Sequence, residues 1–263
     1  MYFATHLCYL VLVPRREFLS KTFVTSSAAA VVALPPSPAL ADASADASLT
    51  NVHGGTTLSL RKAAVAAQSN TLGQMAVYPD PILRHVASPV IDFGPSVDKV
   101  ANLLIDGMKT NSTTALQYGI DARIMVLKGP ASPLADGAPL ILINPNVLAR
   151  SGEDKMVPWT EYCGNFVPTE GVKALEVELL RDEVVEVAAQ DVRGIPVRKS
   201  LRGEAARAFQ HELDHLDGLL IIDHAGLDEL PKDIAELERS FHRGRQRRAF
   251  ERRTYQGNEP LYR

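Results

Sequence analysis

The residues His211-Glu212-Leu213-Asp214-His215 carry the strongest chemical signal in the chain. On a helix, side chains four apart share a face, so the two imidazoles can reach one metal ion. Glu212 is offset by one position and is left to act as a base. It would take a proton from water whose pKa the ion lowers toward about 7, the division of labour of metal-assisted hydrolysis. Phe209, Leu213 and Leu216 give the same segment an apolar stripe. That stripe predicts an internal helix and argues against two solvated histidines on a surface.

Such a centre needs a third protein ligand and an open position. A continuation as Gly-x-x-His fails here: Gly218 is present, but Ile221 stands where the histidine would be and His224 comes three residues late. Glu236 and Glu238 lie some twenty residues on, in a stretch that reads as a solvated helix face. Cys163 is the remaining candidate, since a thiolate is a strong ligand for Fe(II) or Zn(II). A lone cysteine otherwise reads as a small buried hydrophobe.

The elements that must position these groups follow from spacing. Residues 204–216 read as the motif-bearing helix, stopping at Gly218. Residues 96–108 place Val97, Val100, Leu103, Leu104 and Met108 at helical spacing, with Ser96 as the expected cap. Residues 123–127, 140–143, 172–180 and 183–188 read as strands, and Asp191-Val192-Arg193-Gly194 as a hairpin turn. Tyr78-Pro79-Asp80-Pro81 is a rigid turn. A last helix is expected over 228–253. Strands come in a block rather than in strict alternation with helices. This predicts an α+β fold, with antiparallel sheets around the central motif helix and a further helix at the C-terminus.

Composition sets outer limits. Of 263 residues, 46% are hydrophobic and 22% charged, which excludes wholesale disorder. The net charge of -3 argues against a protein that binds polyanions over its whole surface. Two cysteines, Cys8 and Cys163, exclude a disulfide framework and an all-cysteine metal cage. No apolar run reaches the ~20 residues of a membrane helix. Residues 1–41 read as an address: Arg15-Arg16 precede a mild apolar stretch that ends at Ala39-Leu40-Ala41, a small-residue cleavage pattern. The paired arginines are similar to a twin-arginine signal, and Glu17 as the one acid before Asp42 also fits an organelle import peptide. Residues 42–72 hold few large apolar groups and are expected to be a disordered linker. The catalytic domain is then expected over 73–226 and a basic helix and tail over 227–263.

Four blocks together resemble peptide deformylase. They are Tyr78-Pro79-Asp80-Pro81-Ile82-Leu83-Arg84, Ala115-Leu116-Gln117-Tyr118-Gly119, Glu161-Tyr162-Cys163-Gly164-Asn165, and Gln210-His211-Glu212-Leu213-Asp214-His215-Leu216-Asp217-Gly218. The resemblance implies Cys163, His211 and His215 as ligands of one divalent ion, Fe(II) first, with Zn(II) or Ni(II) as substitutes. It implies Glu212 as general base and acid. Gln117 and the backbone N–H of Gly164 would hold the oxyanion. Asp214 would be an anchor behind the ligands, and Arg181 matches a family arginine. The substrate it implies is an N-formylmethionyl peptide, with formate released, and the ribosome is a further expected partner through Arg239, Arg243, Arg245, Arg247, Arg248, Arg252 and Arg253. Formyl-methionine starts organellar translation; the leader points to a plastid, with the mitochondrion as alternative.

This chain departs from the family pattern in two places. Where the family reads G-x-G-L-A-A-P-Q-V-G, residues 110–119 read T-N-S-T-T-A-L-Q-Y-G, without the leading glycines or the proline. E-G-C-L-S becomes E-Y-C-G-N, with one extra residue before Pro168. Two other functions therefore stay open at this point: a deformylase-like binding module without turnover, and a metallopeptidase or amidase using Glu236 or Glu238.

Overall fold

The computed structural model describes residues 58–59, 62–64, 73–166 and 175–254. They fall in the second of two units of the chain, Asp46–Arg263. The expected address over 1–41 lies outside the described residues. The strands, in chain order, are β1 (Leu58–Ser59), β2 (Ser112–Thr114), β3 (Ile120–Asp121), β4 (Ile124–Leu127), β5 (Leu140–Arg150), β6 (Met156–Tyr162), β7 (Glu176–Asp182), β8 (Val184–Gln190) and β9 (Pro196–Arg202). The helices are α1 (Pro95–Gly107), α2 (Gly203–Leu216), α3 (Lys232–Glu238) and α4 (His242–Thr254). The fold is α+β, as its sequence predicts.

Five strands form one antiparallel sheet in the order β2-β4-β5-β8-β9, and β6 and β7 form a separate antiparallel pair. All four residues of β4 are buried. Side chains alternate along a strand, so such a run needs cover on both faces. Met125 and Leu127 join Phe209, Leu213 and Leu216 of α2 in one core. Ile124 and Val126 join Val97, Val100 and Leu104 of α1 in another. The sheet is thus held between α2 on one side and α1 on the other.

Helix α2 is enclosed on nearly every side, although Gln210, His211, Glu212 and His215 are among its buried residues. Buried polar groups require partners. Gln210 shows the principle: its Oε1 accepts from the Asp182 N–H at 3.2 Å and its Nε2 donates to the Asp182 carbonyl at 3.0 Å. One side chain therefore ties the end of β7 to α2.

Gly218 terminates α2 with φ +69. Its N–H donates to the His215 carbonyl and that of Leu219 to the Asp214 carbonyl. A Cβ on Gly218 would stand 2.6 Å from the Arg84 carbonyl oxygen. The Tyr78–Arg84 block therefore crosses the end of the motif helix at backbone contact.

Local differences from the sequence expectations have identifiable causes. Pro95, not Ser96, opens α1, because proline's missing N–H is one the first turn leaves unpaired anyway. β5 runs seven residues past 143, with register shifts between Ile143 and Asn146 and between Val147 and Ala149. Asn144-Pro145 looks like a strand end in sequence, but here it marks an irregularity within the strand. Of the strand expected over 172–180, residues 172–174 lie outside the described residues and β7 begins at Glu176. β6 carries Pro158 and gave no alternating signal. Within the segment expected as linker, Leu58–Ser59 pairs with β3 and Ala63 and Ala64 are buried. The single helix expected over 228–253 is two helices with a break at 239–241. Glu238 is drawn inward there, accepting from Tyr78 Oη at 2.8 Å and Arg84 at 3.1 Å and pairing with Arg245.

Gly218→Ala would force a left-handed backbone onto an L residue and press its Cβ into Arg84. We expect a loss of about 2 kcal/mol, lowering Tm by roughly 4–8 °C, measured by thermal unfolding against wild type.

Candidate metal centre

His211 and His215 project from one face of α2, their ring centroids 5.0 Å apart and steeply inclined at 72°. Cys163 follows the end of β6, and its Sγ lies 3.3 Å from His215 Nε2. One donor atom from each of the three residues falls within 4.8 Å of the others, and all three residues are buried. Donors on one tetrahedral ion stand roughly 3.5 Å apart. The three residues brought together are the three that the sequence singled out.

The surroundings fit a cation. Glu161 Oε2 lies 2.7 Å from His211 Nδ1, so Nδ1 carries a proton and Nε2 is the ring atom left for the cluster. Burial alone would lower the pKa of His211. The facing Cys163 and Glu161 overcome that and push it up to about 10. The cluster thus favours a positive charge, and a divalent ion can take the place of that proton. His215 is held well below its ordinary value by burial and by the neighbouring His211, which keeps its ring neutral and able to ligate. Its Nδ1 is a buried atom with no hydrogen-bond partner among the described residues. A set of one thiolate and two imidazoles suits Fe(II) and Zn(II).

Behind the ligands runs a chain of charges. Arg181 donates to Glu161 through Nε at 2.8 Å and Nη2 at 2.9 Å, and to Asp214 through Nη1 at 2.7 Å. His224 Nε2 lies 2.9 Å from the same Asp214 oxygen. Burial opposes ionisation of Glu161, but Arg181 and His211 outweigh it and hold the carboxyl well below the usual range. Asp214 is held low in the same way by Arg181 and His224 against its burial. Asp214 is therefore linked to the His211 ring only through Arg181 and Glu161. His224 is one of its partners and stands outside the cluster.

Glu212 is buried, and burial raises its pKa. Its Oε1 accepts from Ser112 Oγ at 2.7 Å, while Oε2 has no partner among the described residues. A carboxyl that holds its proton more readily than a surface one suits proton transfer. Gln117 is equally fixed. Its Oε1 accepts from Thr113 Oγ1 and the Thr114 N–H, both at 2.8 Å. That leaves the amide NH₂ as the group presented, and one of its protons goes to Asn165 Oδ1 at 2.8 Å. Asn165 also accepts from Cys163 Sγ at 3.3 Å and donates to the Ala76 carbonyl at 2.7 Å. Gly164 is exposed beside them, and a Cβ added there would stand 3.0 Å from the Met75 methyl. Val167 and Pro168 lie outside the described residues.

The competing third ligands are placed elsewhere. Glu236 is exposed, and both oxygens of Glu238 are engaged by Tyr78, Arg84 and Arg245. Sequence reasoning assigned no role to Glu161, Asn165 or Ser112. Glu161 and Cys163 stand two apart on an extended segment and so face one side, a signal that could have found the former. Asn165 and Ser112 sit where the chain leaves its family pattern, and no spacing pointed to them.

The family model described as polypeptide deformylase matches residues 73–230. The chain belongs to the polypeptide deformylase family. Among curated members, "Peptide deformylase 1B, chloroplastic/mitochondrial" of Arabidopsis thaliana is 32% identical over 180 residues, covering 66% of this chain and 63% of that protein. "Peptide deformylase 1B, chloroplastic" of Oryza sativa is 32% identical over 170 residues, 62% of this chain and 60% of that protein. The match thus spans less than two thirds of these plant deformylases. The peptide deformylase of Desulforudis audaxviator is 34% identical over 155 residues, 58% of this chain and 92% of its own. The crystal structure of the Arabidopsis deformylase aligns with a TM-score of 0.54 at 29% identity, over 65% of this chain and 93% of that one. The Thermotoga maritima deformylase aligns at 0.51 and 33%, over 59% and 98%.

Metal content after dialysis checks the arrangement. Cys163→Ser should lose the ion. Glu161→Gln should keep all three ligands yet bind it about 10–100-fold more weakly.

Proposed function

We propose that this chain is a metal-dependent peptide deformylase, which hydrolyses the N-formyl group of N-formylmethionyl peptides and releases formate. The observation that carries the reading is the buried convergence of Cys163, His211 and His215 beside Glu212. Cys163, His211 and His215 would hold one divalent ion, with Fe(II) preferred and Zn(II) or Ni(II) as substitutes. When bound, the ion supplies Lewis acidity that makes water a nucleophile near neutral pH.

The protein's own residues do the rest. Water adds to the formyl carbon, and the carbonyl oxygen becomes an oxyanion. The remaining N–H of the Gln117 amide and the Gly164 backbone N–H face that oxygen, and each well-placed donor contributes about 3–4 kcal/mol. Glu212 accepts the water's proton and gives it to the amine nitrogen as the carbon–nitrogen bond breaks. Formate and a free amino terminus leave. The hydroxyls and amide that fix Gln117 mean that it need not reorganise as charge develops.

The likeness to chloroplastic and mitochondrial relatives and the leader over 1–41 support an organellar site of action, in a plastid first and a mitochondrion as the alternative. The expected basic surface supports ribosome docking. Arg239, Arg243, Arg247 and Arg248 are exposed, and Arg239, Arg243 and Arg247 follow one another at four-residue steps. Arg245 and Arg252 face inward to Glu238 and Asp217 and are structural.

Two experiments test this. Anaerobically purified protein should release formate from formyl-Met-Ala-Ser, and Glu212→Ala should lower kcat about 10²–10⁴-fold with its metal retained. Metal without formate in wild type would favour a binding module. Charge reversal at Arg239, Arg243 and Arg247 together should weaken co-sedimentation with ribosomes, most at low salt, and leave tripeptide turnover unchanged. Unaltered sedimentation would end the docking reading.

A further inference from the structure

Strand β2 is the three-residue sequence Ser112-Thr113-Thr114, and each of its hydroxyls is directed at a group of the centre. Thr113 and Thr114 clamp the Gln117 carbonyl. Ser112 Oγ reaches across 100 residues of sequence to Glu212 Oε1 at 2.7 Å. Ser112 is itself pinned, its carbonyl accepting from Thr110 Oγ1 at 2.6 Å. β2 in turn is hydrogen-bonded to β4, whose two faces are both packed. The hydroxyl is therefore carried by a short edge strand that is paired along its length to a buried one.

The two oxygens of Glu212 are consequently unequal. Oε1 has a donor, and Oε2 is buried with none among the described residues. We propose that Ser112 is a positioning residue for Glu212: its hydroxyl holds Oε1 and so fixes Oε2 as the oxygen turned to the reacting atoms. The inference rests on the deformylase reading for its kinetic consequence, but not for the contact itself. A serine hydroxyl can donate to a carboxylate and, less strongly, to the carbonyl oxygen of the protonated carboxyl, so the contact is open to it in either state. Without it, the carboxyl rotates about its terminal torsion, which has only a broad two-fold preference. The methyl and glycine replacements lack the donor, whereas threonine keeps it.

The test compares Ser112→Ala, Ser112→Gly and Ser112→Thr with wild type, each checked for equal metal content and Tm. In metal-free protein, the carbon-13 resonance of the Glu212 carboxyl, assigned by its disappearance in Glu212→Gln, should move in the alanine and glycine variants and return toward wild type in the threonine variant. In the loaded enzyme, kcat on formyl-Met-Ala-Ser should fall about tenfold in the first two with KM unchanged, and recover to within about twofold in Ser112→Thr. An unmoved carboxyl resonance, or unchanged kcat in both Ser112→Ala and Ser112→Gly, overturns the proposal. Absence of formate from wild type would instead count against the deformylase reading and leave the resonance as the measure of the contact.

Discussion

A single carboxylate buried against an arginine and an imidazole organises this molecule. Glu161 lies on β6, Arg181 on its sheet partner β7 and His211 on α2, and their contacts of 2.7–2.9 Å join that strand pair to the helix. An ionised group out of water is costly unless its partners are close and well aligned. Here each partner also has a second attachment: Arg181 to Asp214, and His211 to the cluster with Cys163. Losing any one of them would leave a charge stranded in a dry interior. The arrangement therefore constrains where α2 can sit relative to the β6–β7 pair, and with it the distance between the thiol and the rings.

The polar interior of α2 follows the same logic at every turn. Gln210 grips the backbone of Asp182, His211 grips Glu161, and Glu212 receives Ser112. A helix with so many buried polar side chains gains less from apolar burial than a core helix normally does. Directional bonds hold it instead, and these also fix its rotation. Phe209, Leu213 and Leu216 then fill the space between it and the sheet.

The meeting of Cys163, His211 and His215 was legible in the sequence because it resides in residue types and short spacings. The i, i+4 histidines, the intervening glutamate and the unpaired cysteine could be read directly, and so could the helix that carries three of them. The α+β arrangement was also visible, since strands such as β4 and β8 are β-branched and short. What stayed hidden depends on contacts between distant segments. Nothing local to Ser112 announces a glutamate 100 residues away. Asn165 supports Gln117 only because a turn after β6 brings them together. The break between α3 and α4 follows from Glu238 meeting Arg84 and Tyr78, and a helical pattern running through 228–253 carries no trace of that.

The end of the motif helix has one more attachment. Asp217, two residues beyond His215, receives Arg123 on one oxygen at 2.8 Å and Arg252 of α4 on the other at 2.5 Å. The outermost helix is thus fastened almost directly to the ligand-bearing turn, while its own far side stays open to solvent. A load on that outer side would reach the turn after His215 through two side chains, Arg252 and Asp217.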